Sequence, residues 1–358
     1  MPAQYEKPKF KKVAPTSLAA RLAKGQVIIC AEGYIFELER RGYVQAGSFV
    51  PEVVLEHPEV VQQLHTEFLR AGTEVLPALT YYGHREKLKL IGREQDLELL
   101  NRQAIRIAHA AAGTADVLVA GNICNTWAYR HDDEVAAAEV KRQYTEQVGW
   151  ASDEGVDFIL AETLEYVGEA LIALEVIHSF GLAAVINFAP FGERSRDGYE
   201  WVDACLLLQK KGAEVVGFNC ARGPHTLLPL ARTLQKKAVG PTSLVPVPYR
   251  TTQLAPSFLS LTREDGTSAY TLGLDAYLID RHDAATFATQ ATALGVAFIG
   301  LCCGAGPQHI RAVAEALGRH PEASKYSADF SKHGLVGSKE ASREHEKPFL
   351  ALQNDAPV

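Results

Sequence analysis

No apolar run in the 358 residues reaches about 18, the length a membrane-spanning helix needs, so no membrane partner is expected. The first residues, Met1-Pro2-Ala3-Gln4-Tyr5-Glu6-Lys7, are polar and carry no apolar stretch of signal-peptide type, so no secretory signal is expected there. Positive charge is in deficit: 36 Lys and Arg stand against 43 Asp and Glu, a net charge of −7. That balance opposes non-specific nucleic-acid binding, which relies on clustered cations. Six cysteines in so long a chain, with no export signal, read as thiols of a cytoplasmic protein rather than as a disulfide framework. A glycine-rich phosphate loop is missing too. Where GxGxxG or GxxxxGKS would follow the first apolar segment, the chain reads Cys30-Ala31-Glu32-Gly33-Tyr34, which removes the usual nucleotide-binding signatures.

What remains is ordinary globular material, 47% hydrophobic and 22% charged, and long enough to bury a core without staples. Short, nearly continuous apolar runs recur at 26–31, 73–80, 116–123, 157–162, 183–188, 214–220, 243–247 and 296–302, as parallel strands buried on both faces require. Helical spacing fills the intervals at 58–71, 97–112, 134–154, 165–180, 202–211, 226–236, 284–294 and 309–317. Eight strand–helix units in strict alternation predict an α/β fold, a (β/α)8 TIM barrel with a C-terminal extension, whose site lies at the C-terminal ends of its strands. The expected divisions are an N-terminal arm over 1–15 with Lys7, Lys9, Lys11 and Lys12, a barrel over 16–319, and an extension over 320–358 acting as an oligomer contact. A helical segment at 17–24 is placed to cover the opposite end of the barrel. The polar stretch 250–277, after the seventh strand, reads as a lid, a subunit contact or both.

Three cysteines carry the sharpest chemical signal. Cys220 closes the sixth strand in Gly217-Phe218-Asn219-Cys220, and Cys302 and Cys303 close the eighth in Gly300-Leu301-Cys302-Cys303-Gly304. One strand separates these ends in a closed barrel, so three sulfurs can converge. Soft thiolates favour Zn2+, and three protein ligands leave the open position of a catalytic zinc. Cys205, on a helix, reads as core packing, as do Cys30 and Cys124, although either of the latter two could supply a fourth sulfur. A thiol entering the open position would be held as thiolate, the nucleophilic form, which implies alkyl transfer to sulfur. Methyl donors for that step are commonly onium cations, which aromatic faces attract. Tyr81 and Tyr82 follow the second strand, Phe49 lies in the loop after the first and Trp127 in the loop after the third. His65 and His109 fall on helices and read as surface or packing residues.

These residues resemble the homocysteine S-methyltransferase family, most closely its betaine–homocysteine branch. The matching pieces are the Gly-Phe-Asn-Cys run ending at Cys220, the segment Cys302-Cys303-Gly304-Ala305-Gly306-Pro307-Gln308-His309-Ile310-Arg311, and Phe36-Glu37-Leu38-Glu39-Arg40-Arg41-Gly42-Tyr43-Val44. Leu64-His65-Thr66-Glu67-Phe68-Leu69-Arg70-Ala71-Gly72 and Asp157-Phe158-Ile159-Leu160-Ala161-Glu162 extend the likeness over roughly 17–317, with an echo at Lys332-His333-Gly334. The resemblance implies a zinc-dependent barrel with Cys220, Cys302 and Cys303 as ligands, Glu162 on the amino group of the acceptor, and Tyr82 facing the onium donor, in a dimer or tetramer. Departures are specific. Betaine-using relatives carry an aspartate and glycines where this chain has Ala31 and Glu32, leaving Glu32 as the substitute carboxylate if the turn is reshaped. Ala78 stands for a threonine, Phe49 for a tryptophan that shields betaine, and Thr163 for a tyrosine. The function expected is zinc-dependent transfer of methyl from a betaine-like or sulfonium donor to a small thiol such as homocysteine, giving a thioether such as methionine. The alternatives are a non-catalytic barrel with structural zinc and a relative with another thiol acceptor. A metal-independent lyase would need a Schiff-base lysine or phosphate-binding glycines at strand ends, and neither is found.

Overall fold

Residues buried on both sides of a sheet have no polar face to alternate with, which is why the strands read as unbroken apolar runs. In the computed structural model, which describes residues 17–332 and 347–348, these runs form β1 (Ile28–Ala31), β2 (Val75–Pro77), β3 (Leu118–Cys124), β4 (Phe158–Leu164), β5 (Ala184–Phe188), β6 (Val215–Asn219), β7 (Thr242–Val245) and β8 (Phe298–Leu301). They pair in parallel and in chain order. β8 returns to β1 from Ile28↔Phe298 to Ala31↔Leu301, so the sheet closes into the expected barrel.

Helices Pro58–Ala71, Leu97–Ala112, Glu134–Asp153, Val167–Ser179, Trp201–Lys210, Pro224–Gln235, Arg281–Ala293 and Pro307–Ala316 follow the eight strands in turn. Proline opens three of them, where its missing N–H costs nothing. Asp133 caps a fourth by accepting from the Val135 and Ala136 amides. The stripe Val61, Leu64 and Phe68 of the first barrel helix is fully buried, as its spacing requires. At the N-terminal rim, helix Leu18–Ala23 holds Arg21 against Asp116 at 2.6 Å, just ahead of β3.

Two local expectations change. The second strand is shorter than 73–80 because Pro77 has no N–H for the ladder, and the chain turns as Thr80 donates to the Ala78 carbonyl at 2.7 Å. The loops above the barrel also hold helices that the strand–helix repeat does not announce: Tyr34–Arg40, Val53–Glu56 and Arg85–Lys89. The 250–277 stretch folds over the C-terminal mouth, where the Phe258 amide donates to Ala221 at 2.9 Å and Thr251 accepts from the Gly223 amide at 3.0 Å. The arm 1–15 and most of 320–358 lie outside the described residues. Among the described residues no helix is long and apolar enough to cross a membrane.

Candidate active site

β6 and β8 flank β7, and their ends bring three sulfurs together. Cys220, Cys302 and Cys303 place their Sγ atoms within 4.8 Å of one another, the Cys302–Cys303 pair at 3.7 Å. Ligands about 2.3 Å from a tetrahedral zinc stand about 3.8 Å apart, which the Cys302–Cys303 pair matches and the trio approaches. No fourth Cys, His or carboxylate among the described residues joins the trio at that spacing, and neither Cys30 nor Cys124 does. Burial raises the pKa of the Cys302 thiol, while the sulfurs of Cys302 and Cys220 respectively do most to raise those of Cys220 and Cys303. A cation is the partner that would make their thiolates stable there.

The backbone is shaped to aim these sulfurs. The Cys220 amide donates to Val245 at 2.9 Å and the Cys302 amide to Pro246 at 2.8 Å, tying both strand ends to the β7 segment between them. Gly304 turns with φ +101° directly above Tyr249, where a Cβ would meet the phenol oxygen at 2.3 Å. Arg40 braces this turn, donating to the Gly304 carbonyl at 2.8 Å while pairing with Asp275 of the 250–277 stretch at 2.8 Å.

Beside the sulfurs lie two buried carboxyls. Glu162, in β4, accepts from Asn122 of β3 and from Asn219 of β6, the latter at 2.8 Å. Asn219 is oriented in turn by the Thr163 amide, which donates to its side-chain oxygen at 2.8 Å. Glu32 follows β1, is 8% exposed, and neither of its oxygens has a hydrogen-bond partner among the described residues. Oxygens of Glu32 and Glu162 lie with the Cys302 sulfur within 4.8 Å of one another. Burial is the largest cause pushing both carboxyls above the usual range, and for Glu32 the charge of Glu162 adds to it. An ammonium placed between them would relieve both effects.

Outside this chamber opens a cleft of about 1000 Å³, lined among others by Phe49, Tyr82, Trp127, Thr163, Cys220 and Cys303. Tyr82 and Trp127 meet edge to face at 5.6 Å, and Phe49 stacks on Phe36 at 5.0 Å. Of the seven non-glycine residues with left-handed backbone among the described residues, five line this cleft: Phe49, Tyr82, Trp127, Thr163 and Cys220. Each such residue costs about 1–3 kcal/mol, and their concentration here marks the mouth as the functional end.

The structure thus brings Cys220, Cys302, Cys303, Glu162 and Glu32 around one chamber and puts Tyr82 and Phe49 in the adjoining cleft. Trp127 stands 45% exposed beside Tyr82. Ala31 and Ala78 are buried and offer no polar atom in place of the side chains they replace. Cys205 packs in the core. Sequence reasoning missed Asn122, Asn219 as a hydrogen-bond donor, Arg40 and Lys87. A polar Asn inside an otherwise apolar β3 was the available signal for Asn122; Arg40 lies in the matching segment Phe36–Val44, which does not reveal its contact with Gly304, and nothing linear marks Lys87.

Fold and site together define a class, a TIM-barrel enzyme whose mouth gathers three cysteines beside an aromatic cleft. The family model for homocysteine S-methyltransferase matches residues 29–317. S-methylmethionine–homocysteine S-methyltransferase BHMT2 of Rattus norvegicus is 34% identical over 351 residues, covering 96% of this chain and 90% of that protein. Betaine–homocysteine S-methyltransferase 1 of Xenopus tropicalis is 34% identical over 354 residues, covering 94% and 84%. The metallated form of the homocysteine methyltransferase MmuM from Escherichia coli shares the fold, with TM-score 0.65, 22% identity, and coverage of 83% of this chain and 98% of that one. The chain belongs to the homocysteine S-methyltransferase family and is a methyltransferase.

Proposed function

We propose that the protein transfers a methyl group from an onium donor to the sulfur of homocysteine, using Zn2+ held by Cys220, Cys302 and Cys303. The observation that carries this reading is the trio of sulfurs within 4.8 Å of one another, with no fourth ligand among the described residues, bordering an aromatic cleft. Bound there, zinc would lower the pKa of an incoming thiol and keep it as thiolate. Glu162 and Glu32 take the acceptor's ammonium, their paired charges matched by its three N–H donors. Asn122 and Asn219 hold Glu162 in position for that contact. Tyr82, Phe49 and Trp127 offer π faces to the donor cation, each contact contributing about 0.5–2 kcal/mol. The thiolate pair forms the new C–S bond as the bond from methyl to the onium atom breaks, and its electrons leave with a now neutral amine or thioether. No proton moves in that step, so no general base is required. Orientation and exclusion of water supply the rate.

The relatives' names include both betaine and S-methylmethionine as donors, and both belong in the test. Zinc-loaded protein is incubated with homocysteine and each donor, and the methylated product is read by mass. Methionine is expected from at least one donor. Cys302→Ala and Cys303→Ala are each expected to lose zinc and activity together. Full zinc content in these variants, or zinc-loaded protein that methylates no thiol, refutes the reading.

A further inference from the structure

Lys87 is buried, 2% exposed, at the centre of the short helix Arg85–Lys89, and it pairs with no carboxylate among the described residues. A buried ammonium without a counter-ion must find other electron density. Its Nζ stands 3.8 Å from the centroid of the Tyr82 ring and 4.0 Å from that of Trp127, and it donates to the Ser48 carbonyl at 2.7 Å. Three N–H donors are thereby accounted for: one to a carbonyl, two toward ring faces. The three contacts reach three different loops, those following β1, β2 and β3. Phe49, Tyr82 and Trp127, the residues these loops present to the cleft, all have left-handed backbones that local preference disfavours. Contacts between loops must hold them, and Lys87, which shares the loop after β2 with Tyr82, reaches across to the other two.

We infer that Lys87 is the positioning residue of the donor pocket, an internal ammonium that gathers Tyr82, Trp127 and the Ser48–Phe49 turn into a single aromatic wall. The inference rests on the donor reading above and assigns Lys87 no contact with the reacting atoms. It also explains why a cation sits against this aromatic surface: Lys87 contacts the Tyr82 and Trp127 rings without itself lining the cleft.

Burial brings the Lys87 pKa down to about 8. Of the titratable groups around it, His84 is held neutral by burial, with a pKa lowered to about 3, and burial drives the Cys124 thiol and the Tyr82 phenol upward. Lys87 is therefore the member of this cluster that changes charge near pH 8, losing its hold on the rings as pH rises.

The test uses full-length zinc-loaded protein with betaine and S-methylmethionine as donors. Lys87→Met is expected to raise KM for the donor about tenfold while KM for homocysteine, zinc content and kcat move by less than about threefold. Lys87→Arg, which keeps the charge, is expected to restore donor KM to within about threefold of the parent. In the parent, donor KM rises above pH 8, and in Lys87→Arg it does not. Trp127 emission, taken as the difference from Trp127→Phe, shifts over the same pH range and is flat in Lys87→Met. An unchanged donor KM in Lys87→Met overturns the inference, as does an equal rise in donor and acceptor KM. If no onium donor is used at all, the donor reading fails, and the Trp127 titration separates that result from an error about Lys87.

Discussion

Glu162 shows how much one side chain depends on its neighbours. Among the described residues it accepts hydrogen bonds from Asn122 and Asn219, which leave its carboxyl little room to rotate and hold it beside Glu32 and the Cys302 sulfur. Glu162→Gln keeps the shape and removes the charge. A charge-assisted hydrogen bond contributes about 1.5–3 kcal/mol, so KM for homocysteine is expected to rise roughly 10- to 100-fold. Zinc content should stay that of the parent. Steady-state kinetics with metal analysis check both, and an unaltered acceptor KM would remove Glu162 from the amino-group role. Glu32 presents the complementary case, a buried carboxyl with no hydrogen-bond partner among the described residues, which is the expected condition of a group reserved for a ligand.

Among the strands, β8 forms one side of the barrel seam and leads directly into two of the three cysteines. Gly300 lies opposite Cys30 of β1, and a Cβ built on it would stand 1.9 Å from the Cys30 carbonyl oxygen. Alanine in place of glycine ordinarily stiffens a chain to advantage, by about 0.5–1 kcal/mol. Here the obstacle is backbone, which cannot swing aside, and overpacking wins. Gly300→Ala is expected to lower stability by about 1–3 kcal/mol, read as a lower urea midpoint, and to weaken zinc retention two residues on. An unchanged midpoint would mean that the β1–β8 seam tolerates expansion. Loops matter as much as strands: the 250–277 stretch reaches the Cys303–Gly304 turn through Asp275, Arg40 and the Gly304 carbonyl, so the cover of the cleft and the geometry of Cys303 are mechanically joined.

The molecule as a whole should be acid-sensitive. His65 and His84 are buried, and burial lowers both to a pKa of about 3. Unfolded histidines titrate near 6.5, so below that pH the unfolded chain binds protons that the folded chain refuses. Stability is therefore complete above about pH 6.5 and falls as pH drops toward 3, by about 2 kcal/mol per histidine at pH 5. Urea midpoints at pH 7 and pH 5 measure the loss. His65→Gln is expected to flatten the dependence by about half of that combined amount, and an identical pH response in the variant would contradict the assignment.

Several features could be read before any fold was known. Doubly buried strands must be apolar throughout, and barrel helices must carry a stripe, so periodicity marks both, down to the bounds of Pro58–Ala71 and Leu97–Ala112. Cysteines at the ends of the sixth and eighth runs point to convergence because eight units have one closed arrangement that sets those ends near each other. Other features have no linear trace. Asn122 meets Glu162 across 40 residues, Arg40 meets Gly304 across 264, and Lys87 meets Ser48 across 39. Burial, which raises the pKa of Glu32 and lowers that of Lys87, belongs to no residue until the chain closes around it. Composition and order settle which groups exist and which elements carry them; distance and desolvation arise from closure, and they turn those groups into a site.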